Sequence, residues 1–210
     1  MRRQTPATPS HNAGLSTGRG GYVVALLALL ATIALSGCAN EATTTTNSLA
    51  PSPPAGLKVT SSAIHGKQLP ALYTCDGKDI SPPISWGAVP ASVEELALFI
   101  LAPGRAKNGA ATLSIEWVMA GIKPSLHSLP AGKVPRGAFL LAGSKGHTRY
   151  SICPPHGATR SYSFTLLALP RGARAGPGLP GPVLLRYLNE PTAQDQAAAI
   201  GYLPVSYTRR

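Results

Sequence analysis

Apolar and polar positions alternate, or run together, in a series of short stretches separated by proline and glycine. Leu57–Ile64 alternates weakly and predicts a first strand. Leu72–Trp86 reads mostly as loop: Asp76-Gly77 turns the chain, and Pro82-Pro83 enforces extension before Ile84-Ser85-Trp86. Glu95–Leu101, "ELALFIL", is nearly continuous in apolar residues and predicts a central strand buried on both faces. Leu113–Ile122 predicts another strand, alternating around Glu116, and Gly137–Gly143 a short one. Ser161–Leu169 and Leu203–Arg209 complete the predicted strands. Between those two, 170–182 is a loop rich in turn formers, and 183–189 and 191–201 predict one or two short helices, with Pro191 at a first helical position and Gly201 as a stop. Five to eight strands joined this way predict a mainly β domain, a two-sheet antiparallel β-sandwich with short C-terminal helices.

Composition agrees with that picture. Of 210 residues, 22 are Gly and 21 are Pro, while 44% are hydrophobic and 13% charged. The chain is too apolar for disorder and too heavily punctuated for a helical bundle.

The first residues follow a different pattern. Arg2, Arg3 and Arg19 precede an apolar run, Tyr22–Leu35, which is shorter than the ~20 residues a membrane span needs. Leu35-Ser36-Gly37-Cys38 follows and resembles the bacterial lipoprotein box, in which Cys38 is diacylated and becomes the first residue. Residues 1–37 are therefore expected to be a lipoprotein signal peptide. Residues 38–56, rich in Thr, Ser, Pro and Ala, are expected to be a lipidated cysteine and flexible tether, and 57–210 the folded domain. The expected location is the cell membrane or outer membrane, anchored by lipid on the extracytoplasmic face.

Cleavage would remove three arginines and leave 16 basic and 8 acidic side chains, a formal +8. The basic residues are scattered, with no basic helix and no stripe interleaved with aromatics, so a nucleic-acid partner is not expected. Attraction to anionic lipid or cell-wall polymer is physically reasonable, beside a plain solvated basic surface. With Cys38 assigned to lipid, Cys75 and Cys153 remain. They can form one disulfide in an oxidising compartment, remain buried thiols, or pair on a metal, for which no histidine cluster gives support.

Enzymatic signatures are lacking. No histidine sits in a nucleophile motif, there is no Gly-x-Ser-x-Gly, and no glycine loop opens a helix after a strand. Glu94-Glu95 reads as a solvated turn. No catalytic residue, cofactor or metal is assigned, and the chain is expected to be non-enzymatic.

Four segments carry a resemblance. "YTCDGKDISPPISWGAVP" (73–90) and "CPPHGATRSYSFTLLAL" (153–169) resemble two signatures of bacterial phosphatidylethanolamine-binding proteins, in the Raf-kinase-inhibitor-like (YbhB/YbcL) branch. "LALFILAPGRA" (96–106) falls on the family's apolar strand running into Asp-Pro-Asp-Ala-Pro, and "IEWVMAGIKP" (115–124) on its His-Trp-Val-Val strand. The resemblance implies a β-sandwich with a small anion pocket for phosphate or phosphorylated head groups. It also implies a Cys75–Cys153 disulfide, since exported family members tend to carry both cysteines on neighbouring loops.

Carried over position by position, the pocket is altered. The family's two loop aspartates fall on Ala102 and Gly104, with Pro103 kept between them. Its strand histidine falls on Glu116, before Trp117. Its last histidine falls on Arg160, near Tyr162, while Pro154 and Pro155 are kept. Glu116 and Arg160 either pair with each other and fill the cavity, or leave Arg160 to bind an anion with Glu116 orienting it. Asp76 either lies at the pocket's edge or caps the Gly77–Ser81 loop. Trp86 and Trp117 read as core more readily than as ligand-stacking groups. The expected function is a lipid-anchored binding protein for a small anion or phospholipid head group. The alternative is a protein-interaction module or protease or kinase inhibitor, acting through the loops at 103–112 and 143–152.

Overall fold

The apolar run at 95–101 forms the middle of a long strand, Val93–Arg105, in a computed structural model that describes residues 55–189 and 197–210. The expected signal peptide, Cys38, the tether up to residue 54, and Pro191 lie outside the described residues. The strands are β1 (Ala55–Thr60), β2 (Ile84–Trp86), β3 (Val93–Arg105), β4 (Ala111–Ile122), β5 (Ser128–Leu129), β6 (Phe139–Leu141), β7 (Thr159–Pro170) and β8 (Ala199–Thr208). Their hydrogen-bonded order is β5-β2-β1-β8-β7-β3-β4-β6. All neighbours are antiparallel except β1 and β8.

The expectation of two antiparallel sheets is corrected to one curled, mixed sheet. The reason lies in β1. Ala55–Lys58 pair with β8, whereas Val59 and Thr60 pair with β2, so one strand carries the ladder around the corner. The curl packs Ile84, Trp86 and Leu129 with Leu98, Ile100, Phe164 and Leu166 in an inner core. The opposite face of β3 contributes Ala97, Phe99 and Leu101 to an outer core. β3 is thus buried on both faces, as its unbroken apolar run predicts.

The outer core is covered by α1 (Gly181–Leu188), which buries Leu184 and Leu188, four residues apart on one helix face. Its start lies close to β4: a Cβ added at Gly181 would sit 2.7 Å from Val118 Cγ2. This helix matches the expectation at 183–189. The helix expected over 191–201 is corrected at its described end, because Ala199–Gly201 begin β8. Ala197–Ile200 has helix-forming composition, but Ala199 and Ile200 pair with β7 on one side and β1 on the other. Tertiary pairing overrides local propensity there. Gly201 is a site of close strand approach: an added Cβ would lie 2.5 Å from Val59 Cγ2 and 2.6 Å from Leu57 O.

Candidate functional site

Glu116 owes its position to a β-bulge. Ile100 pairs with Trp117 and Leu101 with Ile115, which leaves Glu116 as the extra residue. The bulge shifts the alternation, so that Ile115 faces the outer core and Trp117 the inner one. Glu116 is buried, at 5% exposure, and its carboxylate is well supplied with partners. Lys145 Nζ donates to Oε2 at 2.9 Å, and Ser114 Oγ to Oε1 at 3.0 Å. The Arg160 guanidinium lies 3.9 Å from Oε1. Burial is the largest influence on the carboxyl and pushes its pKa up, but the Lys145 and Ser114 hydrogen bonds and the charges of Lys145 and Arg160 together hold it below the ordinary glutamate value.

The sign for stability follows. A carboxyl with a lowered folded pKa stabilises fully above its unfolded value, and that contribution is lost as pH falls through the folded value. In Lys145→Met the burial effect loses its strongest opponent, so the pKa rises. Acid unfolding followed by circular dichroism is expected to begin at higher pH in this variant than in wild type. An unchanged acid limb would mean that Lys145 does not hold Glu116.

Arg160 Nη2 donates to the Pro103 carbonyl at 3.1 Å, and the Arg160 side chain is one-third exposed (33%). Ala102 and Tyr162 are buried in the inner core beside it. Burial pushes the Tyr162 hydroxyl up to about 12, slightly countered by Arg160, so it remains a neutral donor at physiological pH. The structure therefore brings Ala102, Pro103, Glu116, Arg160 and Tyr162 together at one end of β3, β4 and β7.

Asp76 belongs to an adjoining network. Arg160 is the cross-strand partner of Tyr207, whose hydroxyl donates to Asp76 Oδ2. Arg209 Nε donates to Asp76 Oδ1 at 3.0 Å, and Arg209 Nη1 to the Pro154 carbonyl at 3.3 Å. The Tyr207 hydrogen bond, with help from Arg209, holds the Asp76 carboxyl below the usual range against a smaller opposing effect of burial. The loop-capping role falls instead to Thr74, whose carbonyl accepts from Gly77 and Asp79 N–H and whose hydroxyl accepts from Asp76 N–H. A disulfide joins Cys75 to Cys153, with Cα atoms 5.3 Å apart, and so ties the Asp76 loop to Pro154 and Pro155. Pro154 is buried and Pro155 is exposed.

Asp76 and Tyr207 also line a cleft of about 590 Å³ with Gln68, Leu69 and Arg210. Trp117, next to Glu116 on β4, has its ring against Tyr150, edge-to-face with centroids 5.6 Å apart, and lines a separate cavity. Trp86 is core. Lys145, Ser114, Tyr207 and Arg209 were not foreseeable from spacing. The signal for the bulge was legible in retrospect: a lone glutamate inside the apolar run Ile115–Ala120.

The family model for Phosphatidylethanolamine-binding protein matches residues 59–201. The chain belongs to the phosphatidylethanolamine-binding protein family. It is 36% identical over 108 residues to a UPF0098 protein of Methanothermobacter thermautotrophicus, a stretch covering 49% of this chain and 68% of that protein. It is 35% identical over 107 residues to a UPF0098 protein of Mycobacterium tuberculosis, covering 50% of this chain but only 49% of that relative. A solved phosphatidylethanolamine-binding protein homologue from Chlamydia trachomatis superposes with a TM-score of 0.62 at 25% identity, over 74% of this chain and 99% of its own. YbcL of E. coli, described as a member of the mammalian family, gives 0.61 at 22% identity over 73% and 99%, a likeness of fold alone.

Proposed function

We propose that this chain is an exported, lipid-anchored, non-enzymatic binding protein of the Raf-kinase-inhibitor-like (YbhB/YbcL) branch. Its ligand is a small anion or phosphorylated head group held by Arg160. The anchor would be Cys38, on the extracytoplasmic face of the cell membrane or outer membrane.

The observation that carries the reading is the division of labour around Glu116. Lys145 and Ser114 supply its hydrogen bonds, so Arg160 at 3.9 Å is oriented without being consumed. The Pro103 carbonyl fixes one edge of the guanidinium, and one-third of the Arg160 side chain is open to solvent. With Ala102 and Gly104 neutral, Lys145 and Arg160 against Glu116 leave one positive charge, which suits an anion. Arg160 offers a planar donor fork, and Tyr162 a neutral hydroxyl. Pro154, Pro155 and Asp76 form the adjoining rim.

Native mass spectrometry with phosphate, phosphoserine and phosphoethanolamine tests the reading. Wild type is expected to take up one anion saturably, and Arg160→Ala to bind at least tenfold more weakly. No uptake by wild type would sink it. That result would advance the second reading, a protein-interaction module, which the exposed hairpin at residues 105–111 with Arg105 and Lys107 favours.

A further inference from the structure

Of the asparagines in the chain, Asn108 alone is followed by glycine. Asparagine is thermolabile, because the backbone nitrogen of the next residue can attack its side-chain amide. A following glycine hinders that attack least, since it has no Cβ.

Asn108 and Gly109 sit at the tip of the hairpin between β3 and β4. Residues 105–113 are all exposed. Gly109 has φ 81°, and nothing lies within 4 Å of a Cβ built on it. Two contacts favour the attack. Ala110 N–H donates to Asn108 Oδ1 at 3.1 Å, so a donor already faces the oxygen on which negative charge develops. Arg105 Nη1 donates to the Gly109 carbonyl at 3.1 Å. Together with Lys107 it makes the turn cationic, which favours loss of the proton from the attacking nitrogen. One contact opposes the step: Gly109 N–H donates to the Ala106 carbonyl at 2.9 Å and must first let go. Every residue of the tip is exposed, so that opening is local.

A second dipeptide, Asp76-Gly77, could close the same ring and supplies the contrast. There both carboxylate oxygens are held, one by the Tyr207 hydroxyl and the other by Arg209 Nε. Gly77 N–H donates to the Thr74 carbonyl at 2.9 Å. A Cβ built at Gly77 would collide with the Ala71 carbonyl, so this loop is packed where the hairpin is open.

We propose that Asn108 is a self-modification site, at which the folded chain turns its own asparagine into an acid. The Gly109 nitrogen bonds to Asn108 Cγ and gives its proton to water. Ammonia leaves Cγ with the side-chain nitrogen, and a cyclic succinimide remains. Water then opens the ring. Cleavage between Cγ and nitrogen gives aspartate. Cleavage between the main-chain carbonyl carbon and nitrogen gives isoaspartate, with the backbone rerouted through the side chain. Either product sets a carboxylate in the turn that holds Arg105 and Lys107, and lowers the hairpin's attraction for an acidic partner.

The test is incubation of the full-length chain in warm, mildly alkaline buffer made with heavy-oxygen water, native and in guanidinium, followed by peptide mapping. In the native chain the Asn108 peptide is expected to become a mixture of aspartate and isoaspartate carrying one heavy oxygen. Its rate should be within tenfold of that in guanidinium and should rise with pH. Asp76 is expected to isomerise in guanidinium and at least tenfold more slowly in the native chain. Cation-exchange chromatography should show an acidic species accumulating in wild type, and at least tenfold less of it in Asn108→Gln. Native conversion of Asn108 more than tenfold slower than in guanidinium, native conversion of Asp76 at the Asn108 rate, or an undiminished acidic species in Asn108→Gln would overturn the proposal.

Discussion

Replacing Cys75 and Cys153 together by serine is expected to lower the unfolding free energy by about 4 kcal/mol. The two cysteines are 78 positions apart, so the bridge closes a long loop and removes much of the unfolded chain's freedom. The folded contacts around it largely survive the substitution. Cys75 N–H still reaches the Ile152 carbonyl at 3.2 Å, and Asp76 keeps Tyr207 and Arg209. The loss therefore falls mainly on the unfolded side of the balance. Against a typical total of about 5–15 kcal/mol it is a large share. Urea denaturation of oxidised wild type, reduced wild type and the double variant checks this. The latter two should share a lower midpoint, with a steeper dependence on urea as the unfolded chain expands. Coincident curves for oxidised and reduced wild type would refute it.

Gly201→Ala is expected to destabilise by about 2–3 kcal/mol, because it overpacks a close approach between strands. The added carbon would meet Val59 Cγ2 at 2.5 Å and the Leu57 carbonyl at 2.6 Å. The carbonyl belongs to backbone and cannot turn aside. Relief would require β1 to move off β8, at the place where the sheet turns its corner. For a domain of this size the melting temperature should fall by roughly 5–10 °C. Gly56→Ala is the matched control, since nothing lies within 4 Å of a Cβ built there. Its melting temperature should barely change, and equal melting of the two variants would contradict the observed approach of β1 to β8.

Much of the fold was legible because it rests on local pattern. The nearly continuous apolar run at 95–101 announced a strand buried on both faces, and Pro82-Pro83 announced the extended Ile84–Trp86. What escaped was long-range. The start of β8 at Ala199 is decided by β1 and β7, and no local preference of Ala197–Ile200 reveals that. The single curled sheet likewise depends on β1 changing partners between Lys58 and Val59.

The candidate site divides the same way. Glu116 and Arg160 could be named as neighbours from their places on two family-like strands. Lys145 could not, because it arrives from a loop 29 positions away and has no spacing relation to Glu116. Its presence changes the reading of the pair. A glutamate already satisfied by a lysine no longer needs the arginine to neutralise it.

The parallel pairing of β1 with β8 has a consequence for the order of events during synthesis. Leu57 must wait for Gly201 before its ladder can form, so the ribosome releases nearly the whole domain before the sheet can close. Hairpin-like contacts such as β3 with β4 can form early, whereas the corner of the sheet is necessarily a late event. The Cys75–Cys153 bridge needs only residues made before β8, and an oxidising compartment would let it hold the unfinished chain together in the meantime.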